Sequence, residues 1–288
     1  MMTTKTDNVI YSDKALYQYA PEELSLGLSV ELYPKGFSFS VRNVATGCYL
    51  ALGEVPVPLG GSPRRLLELF VRFFETARPF NTLSFDRADI VYRDKQFTLV
   101  PSILFDEGKA SDLLSFSLGR SIPAADTGIG IADTAKTVCI FERRPDFVHY
   151  LQAKARQVEE HHSADVFLKG LLQGADSCRT IHVNAGGDLL QVLAMEGKKV
   201  LLGNIFELEK EADFMYYILL VANQTDSNER ETHFIFYGDP DVYQKNMLAI
   251  NQCFPDYAFA GRKEGVPFSP ALDFVAAYEH FNLLNGLL

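Results

Sequence analysis

The sequence has no tryptophan and only four cysteines in 288 residues. Cys48, Cys139, Cys178 and Cys253 are widely spaced, with no C-x-x-C pair. That argues against a disulfide framework and a thiolate zinc site, and leaves four reduced thiols. Long apolar runs are missing as well. The longest, Phe214 to Ala222, falls far below the ~20 residues that span a bilayer. The polar start, MMTTKTDNVIYSDK, lacks the apolar stretch of a secretory signal. Dense basic clusters are absent: Arg64-Arg65, Arg143-Arg144 and Lys198-Lys199 are isolated pairs. Lys and Arg number 27 against 37 Asp and Glu, a formal net charge of −10. A nucleic-acid binder replaces phosphate counterions with a basic face. The bulk field here opposes nucleic acid and anionic membrane surfaces alike. These absences predict a cytoplasmic protein with no membrane insertion and no nucleic-acid partner.

What is present builds a core. The chain carries 22 Phe and 13 Tyr, and 47 % of its residues are hydrophobic, which suits one large domain or two ordinary ones. Residues 1–22 read as a loosely attached arm. Leu24, Leu26, Leu28, Val30 and Leu32 then alternate with polar or small residues, a strand period. Pro34-Lys35-Gly36 is a turn, Phe37 to Val41 a second strand, and Cys48 to Gly53 a third. Gly60-Gly61-Ser62-Pro63 signals a helix start, with Leu66, Phe70, Phe73 and Ala77 on one face. Ala88–Tyr92 and Phe97–Val100 read as a strand pair around Arg93-Asp94-Lys95. A short helix is expected over Ser111–Leu118, a strand over Val138–Phe141, and a helix over Asp146–Gln157.

The pattern then returns. Ile181–Asn184, Leu189–Met195 and Val200–Ile205 form a second three-strand meander. Asp213–Ala222 is a helix apolar nearly all round, expected to be buried between layers. A strand at His233–Tyr237, a helix from Asp241 and a C-terminal helix over Ser269–Leu284 follow. Meander, helix, strand, helix thus occurs twice, in pattern though not in residue identity. That order is the signature of the ribonuclease-H-like unit. The expected fold class is α/β: two tandem ribonuclease-H-like sub-domains with mixed sheets flanked by helices, the actin-like ATPase fold. The sub-domains are placed at 23–170 and 171–288, with Gly170 and Gly174 breaking the helical pattern between them.

Three segments carry a more specific likeness: Phe97-Thr98-Leu99-Val100-Pro101, Asn204-x-Phe206 with Asp213 to Tyr217, and Phe234 to Asp239. Through them the chain resembles the bacterial domain of unknown function family 3822, from about Leu24 to the C-terminus. The resemblance implies an actin-like ATPase fold with no established activity.

Actin-like ATPases bind phosphate on two hairpins, each resembling Asp-x-Gly. The Asp holds the metal and its water, and the glycines let backbone N–H groups approach phosphate oxygens. The first hairpin, Leu28 to Gly36, has no Asp-x-Gly, and Lys35 reads as a solvated turn residue. The second, Val183-Asn184-Ala185-Gly186-Gly187-Asp188, keeps two glycines but has Asn184 where Asp is wanted. The adenosine-side loop, Tyr237-Gly238-Asp239-Pro240, keeps one glycine, and Asp239 suits a helix cap. Gly186, Gly187, Asp188 and Gly238 are therefore the candidate residues of a vestigial nucleotide cleft. No catalytic residue, metal site or cofactor is expected, Mg-ATP being the one cofactor the cleft could be asked to hold.

Other chemistry is thin. Neither first strand has an Asp in its middle, against a two-metal nuclease. Glu159-Glu160-His161-His162 lacks metal-ligand spacing on a helix and reads as a solvated helix end. Gly128-x-Gly130 reads as a flexible connector, and no nucleophile elbow is present. The expected function is a non-catalytic scaffold or binding module with a protein partner. The alternatives are a weak nucleotide-binding protein and, third, a small-molecule kinase.

Overall fold

The computed structural model describes residues 8–18, 24–57, 62–174, 178–227 and 232–285. Two mixed sheets organise the chain. In the first, β1 (Val9–Ser12), β2 (Leu26–Tyr33), β3 (Gly36–Asn43), β4 (Tyr49–Pro56), β5 (Phe85–Tyr92) and β9 (Ala155–His162) stand in the order β1-β4-β3-β2-β5-β9. In the second, β10 (Arg179–Gly186), β11 (Leu189–Glu196), β12 (Lys199–Glu207), β13 (His233–Gly238) and β14 (Tyr257–Phe259) stand in the order β12-β11-β10-β13-β14. Apart from β1 the two orders are the same. Each has an antiparallel meander whose first strand pairs in parallel with a later strand, which pairs in parallel with another. This is the duplicated ribonuclease-H-like architecture of the actin-like ATPase fold.

Alternation along the meanders puts one side of each strand into a core. Helix α2 (Pro63–Thr76) starts where Ser62 accepts from the Arg65 N–H (3.3 Å) and Pro63 takes the first turn. It buries Leu66, Phe70, Phe73 and Phe74 against Phe37 and Phe39 of β3, with ring centroids 5.1 Å apart for Phe37–Phe70. Gly60 and Gly61 lie outside the described residues. In the second half, α6 (Asp213–Gln224) and α7 (Pro240–Cys253) cover β10, β11 and β13 through Phe214, Ile218, Tyr243 and Ile250.

Several local expectations are corrected. Phe97–Val100 does not pair with the strand at Ala88–Tyr92. It belongs to β6 (Phe97–Pro101), in a separate three-stranded sheet ordered β6-β8-β7 with β7 (Thr127–Ala132) and β8 (Thr137–Glu142). Gly128 and Gly130, read as a connector, lie in β7. Phe141 and Asp165 fill the space where their side chains would stand. Helix α3 (Ala110–Leu118) packs on this small sheet. The helix expected over Asp146–Gln157 stops early as α4 (Pro145–Leu151), and Ala155–His162 is the edge strand β9. Its charges are met across strands: Arg87 pairs with Glu159 (3.0 Å), and Glu160 accepts from Tyr92 Oη (2.6 Å) and from Arg143. Helix α5 (Ser163–Leu171) then leads to the second sheet.

Helix α6 is buried on one face only, since Tyr216 is 59 % exposed while Ile218 is fully buried. The C-terminal helix is confined to a short 3-10 turn at Pro270–Leu272 and α8 (Phe281–Asn285). Within the expected arm, Val9–Ser12 adds an edge strand to β4, and Ala15–Gln18 forms the one-turn helix α1. Among the described residues no helix is long and apolar enough to cross a membrane.

Candidate functional site

The two hairpins face each other between the halves. The second is a two-residue turn in which Gly187 (φ +59°) and Asp188 (φ +62°) both take left-handed conformations. That geometry suits the twist of a hairpin. Gly238 (φ +101°) ends β13 so close to β10 that a Cβ there would lie 2.0 Å from the Ala185 carbonyl oxygen. Asp239 caps α7, accepting from the Asp241 N–H at 2.9 Å. Gly186, Gly187 and Gly238 line one small cavity together with Asn184, and Gly187 and Asp188 also line the larger cleft outside it.

Side chains of the chain itself occupy the space between the hairpins. Arg93, 6 % exposed, reaches across from the end of β5. Its Nη2 donates to the Asn184 carbonyl (3.0 Å), and its Nη1 lies 3.8 Å from buried Glu31. Asn282 of α8 donates to the other Glu31 oxygen at 2.6 Å. The Tyr33 ring lies over Gly187, 2.8 Å from where a Cβ would stand. Its hydroxyl donates to Glu54 (3.1 Å). Burial, and then the neighbouring Glu54 charge, pushes the Tyr33 pKa well up, so it stays a neutral donor. Lys35 of the first turn pairs with Asp188 of the second. The remaining cavity measures about 30 Å³, room for one water.

The larger cleft, about 350 Å³, opens beside it along the starts of α6 and α7. Lys35, Lys210 and Lys245 line it, against Glu54, Asp188, Glu209, Glu211, Asp239 and Asp241. Three cations facing six carboxylates make a field that opposes a polyphosphate.

One trio among the described residues stands close enough to share a metal ion: Asp89, Glu159 and His161, with ligand atoms within 4.8 Å of one another. The strand geometry of β9 brings them together, which the expected helix end would not do. Arg87 already clamps the two carboxylates, donating from Nε to Asp89 (2.9 and 3.1 Å) and from Nη2 to Glu159 (3.0 Å). The trio is thereby part of an ion-pair network. The sequence reading missed Arg93, Tyr33 and Asn282. Arg93 stands at a turn, followed by Asp94 and Lys95, and nothing local marks it as buried.

The model of the family described as Protein of unknown function (DUF3822) matches residues 21–255. The chain belongs to this family. A Bacteroides thetaiotaomicron protein of actin-like ATPase fold and unknown function is similar at 19 % identity and a TM-score of 0.69. That match covers 84 % of this chain and 93 % of the other. A structure of the PilM–PilN type IV pilus biogenesis complex is similar at 12 % identity and a TM-score of 0.56, covering 91 % of this chain and 97 % of that one. No curated protein matches. At these identities the two structures speak for the fold.

Mg-ATP does not fit the residues present between the hairpins. A phosphate chain there would displace Arg93 from the Asn184 carbonyl and the Tyr33 ring from Gly187. Three residues before its turn the second hairpin has the Asn184 amide, and the first has Glu31, whose carboxylate is already engaged by Arg93 and Asn282.

Proposed function

We propose that this DUF3822 protein is a non-catalytic binding module that keeps the actin-like fold for its surface and uses it on a protein partner in the cytoplasm. The observation that carries this reading is Arg93. Its buried guanidinium lies between the two hairpins and ties the first half to the second through the Asn184 carbonyl. Phosphoryl transfer needs a carboxylate free to hold a metal ion and an open path for the nucleotide; Glu31 is engaged by Arg93 and Asn282, and the Arg93 and Tyr33 side chains stand in the path. One of the similar folds comes from a two-protein assembly, the PilM–PilN complex, which supports the choice of a protein partner.

The test is a sensitive phosphate-release assay run beside thermal melting with and without Mg-ATP. Wild type is expected to release no phosphate above background and to melt at an unchanged temperature. A ligand at a hundredfold its Kd would add about 2.7 kcal/mol of stability. Turnover by wild type that Asn184→Ala abolishes would overturn the reading. A second reading, weak nucleotide binding without turnover, has the size of the 350 Å³ cleft in its favour. A melting shift without phosphate release would support that alternative.

A further inference from the structure

The small sheet and the second sheet meet edge to edge without joining. Strand β6 is an edge of one and β12 an edge of the other. They run antiparallel: Lys95 just before β6 pairs with Glu207 at the end of β12 (2.9 Å), and Leu99 packs on Gly203. The Lys95–Glu207 pair closes one end, and the open end lies by Pro101 and Val200.

Backbone polarity fixes what faces the gap. Gln96 and Ser102 both bond to β8, since the Glu142 N–H donates to the Gln96 carbonyl (3.0 Å) and the Ser102 N–H to the Lys136 carbonyl (2.9 Å). An antiparallel ladder alternates, so the N–H and C=O of Phe97 and Leu99 point away from β8. On β12, the Leu208 N–H donates to the Asp188 carbonyl (2.8 Å). By the same alternation the backbone of Gly203 points away from β11. A groove of about 370 Å³ lies between the two edges, and none of its lining residues is charged.

The open end has a different character. Lys136, Lys198 and Lys199 are exposed there, and among the described residues no carboxylate pairs with them. Beside them Ile103 is 92 % exposed, Leu104 70 % and Phe116 90 %. Exposed edges and large apolar residues invite a further strand unless something blunts them.

We propose that this groove docks an extended segment of a partner protein, apolar along its length and acidic at one end. Its backbone bonds to the free edge of β6 or β12, its apolar side chains cover Ile103, Leu104 and Phe116, and its acidic end meets the three lysines. This rests on the reading of the chain as a binding module and names the partner's chemistry. The nucleotide assays do not involve the groove, so the two readings fail separately.

The test uses a fluorescein-labelled peptide of alternating valine and threonine that ends in two aspartates, titrated with full-length protein and read by anisotropy. Binding is expected, with amide exchange slowed at Leu99 and Gly203. Lys136→Glu with Lys199→Glu should weaken it about tenfold and favour the same peptide ending in two lysines. Leu99→Pro removes a gap-facing N–H without touching the ladder to β8, and should also weaken binding about tenfold. Three results overturn the proposal. One is no binding at millimolar protein. Another is a lysine variant that still prefers the acidic peptide. The third is a concentration-dependent dimer that protects the same amides, which would put a second copy of the chain in the groove.

Discussion

Replacing Arg93 with methionine should destabilise the protein more than any surface change. The variant leaves Glu31, 4 % exposed, with the Asn282 amide (2.6 Å) as its remaining close partner. Breaking a buried ion pair from one side costs about 3–5 kcal/mol. The 3.8 Å separation places this pair at the low end. The Asn184 carbonyl also loses a donor, adding about 1 kcal/mol. The expected total is about 4 kcal/mol, read by denaturant unfolding. At roughly 2–4 °C per kcal/mol for a chain of this size, melting should fall by about 10 °C. Glu31→Gln alone should cost about as much, because it strands the guanidinium. The double variant removes both charges and should cost only about 1–2 kcal/mol. A single variant within about 1 kcal/mol of wild type would refute the reasoning. So would a double variant whose cost equals the sum of the singles, since the two groups would then not be coupled.

Burial, with His233 nearby, lowers the pKa of His182 to about 3. The folded state therefore holds it neutral, its stabilising contribution is complete above about pH 6.5, and it is lost as pH falls towards 3. At about 1.4 kcal/mol per decade the full loss approaches about 5 kcal/mol. Urea unfolding across this window should show a flatter acid slope for His182→Phe, and an unchanged slope would contradict the assignment. On α6, Ile218→Asp buries an unpaired charge and should cost about 3 kcal/mol or more. Tyr216→Asp, on the exposed side, should stay within about 0.5 kcal/mol in the same unfolding assay. Equal effects at the two positions would mean that both sides of α6 are buried.

Both meanders were legible because alternation at Leu26 to Leu32 and at Ile181 to Val183 is a local signal that coincides with the ladder pairing. The duplication followed from their order. Strand β9 was not legible. Its Glu-Glu-His-His run looks like a solvated helix end, and the groups that satisfy it, Arg87, Tyr92 and Arg143, lie on other elements. The glycines of the candidate cleft announced themselves as turn chemistry. Arg93 did not, because its burial is conferred by the Asn184 carbonyl, 91 residues away.

Among the described residues, the links that cross between the halves include Arg93 to Asn184, Asn282 to Glu31, Lys35 to Asp188 and Lys95 to Glu207. Hinge closure around a ligand needs a few residues free to absorb the rotation, with little to break. Here rotation would have to break all four, two of them buried. The cleft then behaves as a weld and not as a joint. The groove between β6 and β12 has one of these links, the half-exposed Lys95–Glu207 pair, at one end. Such a chain is built to hold its two halves in one arrangement.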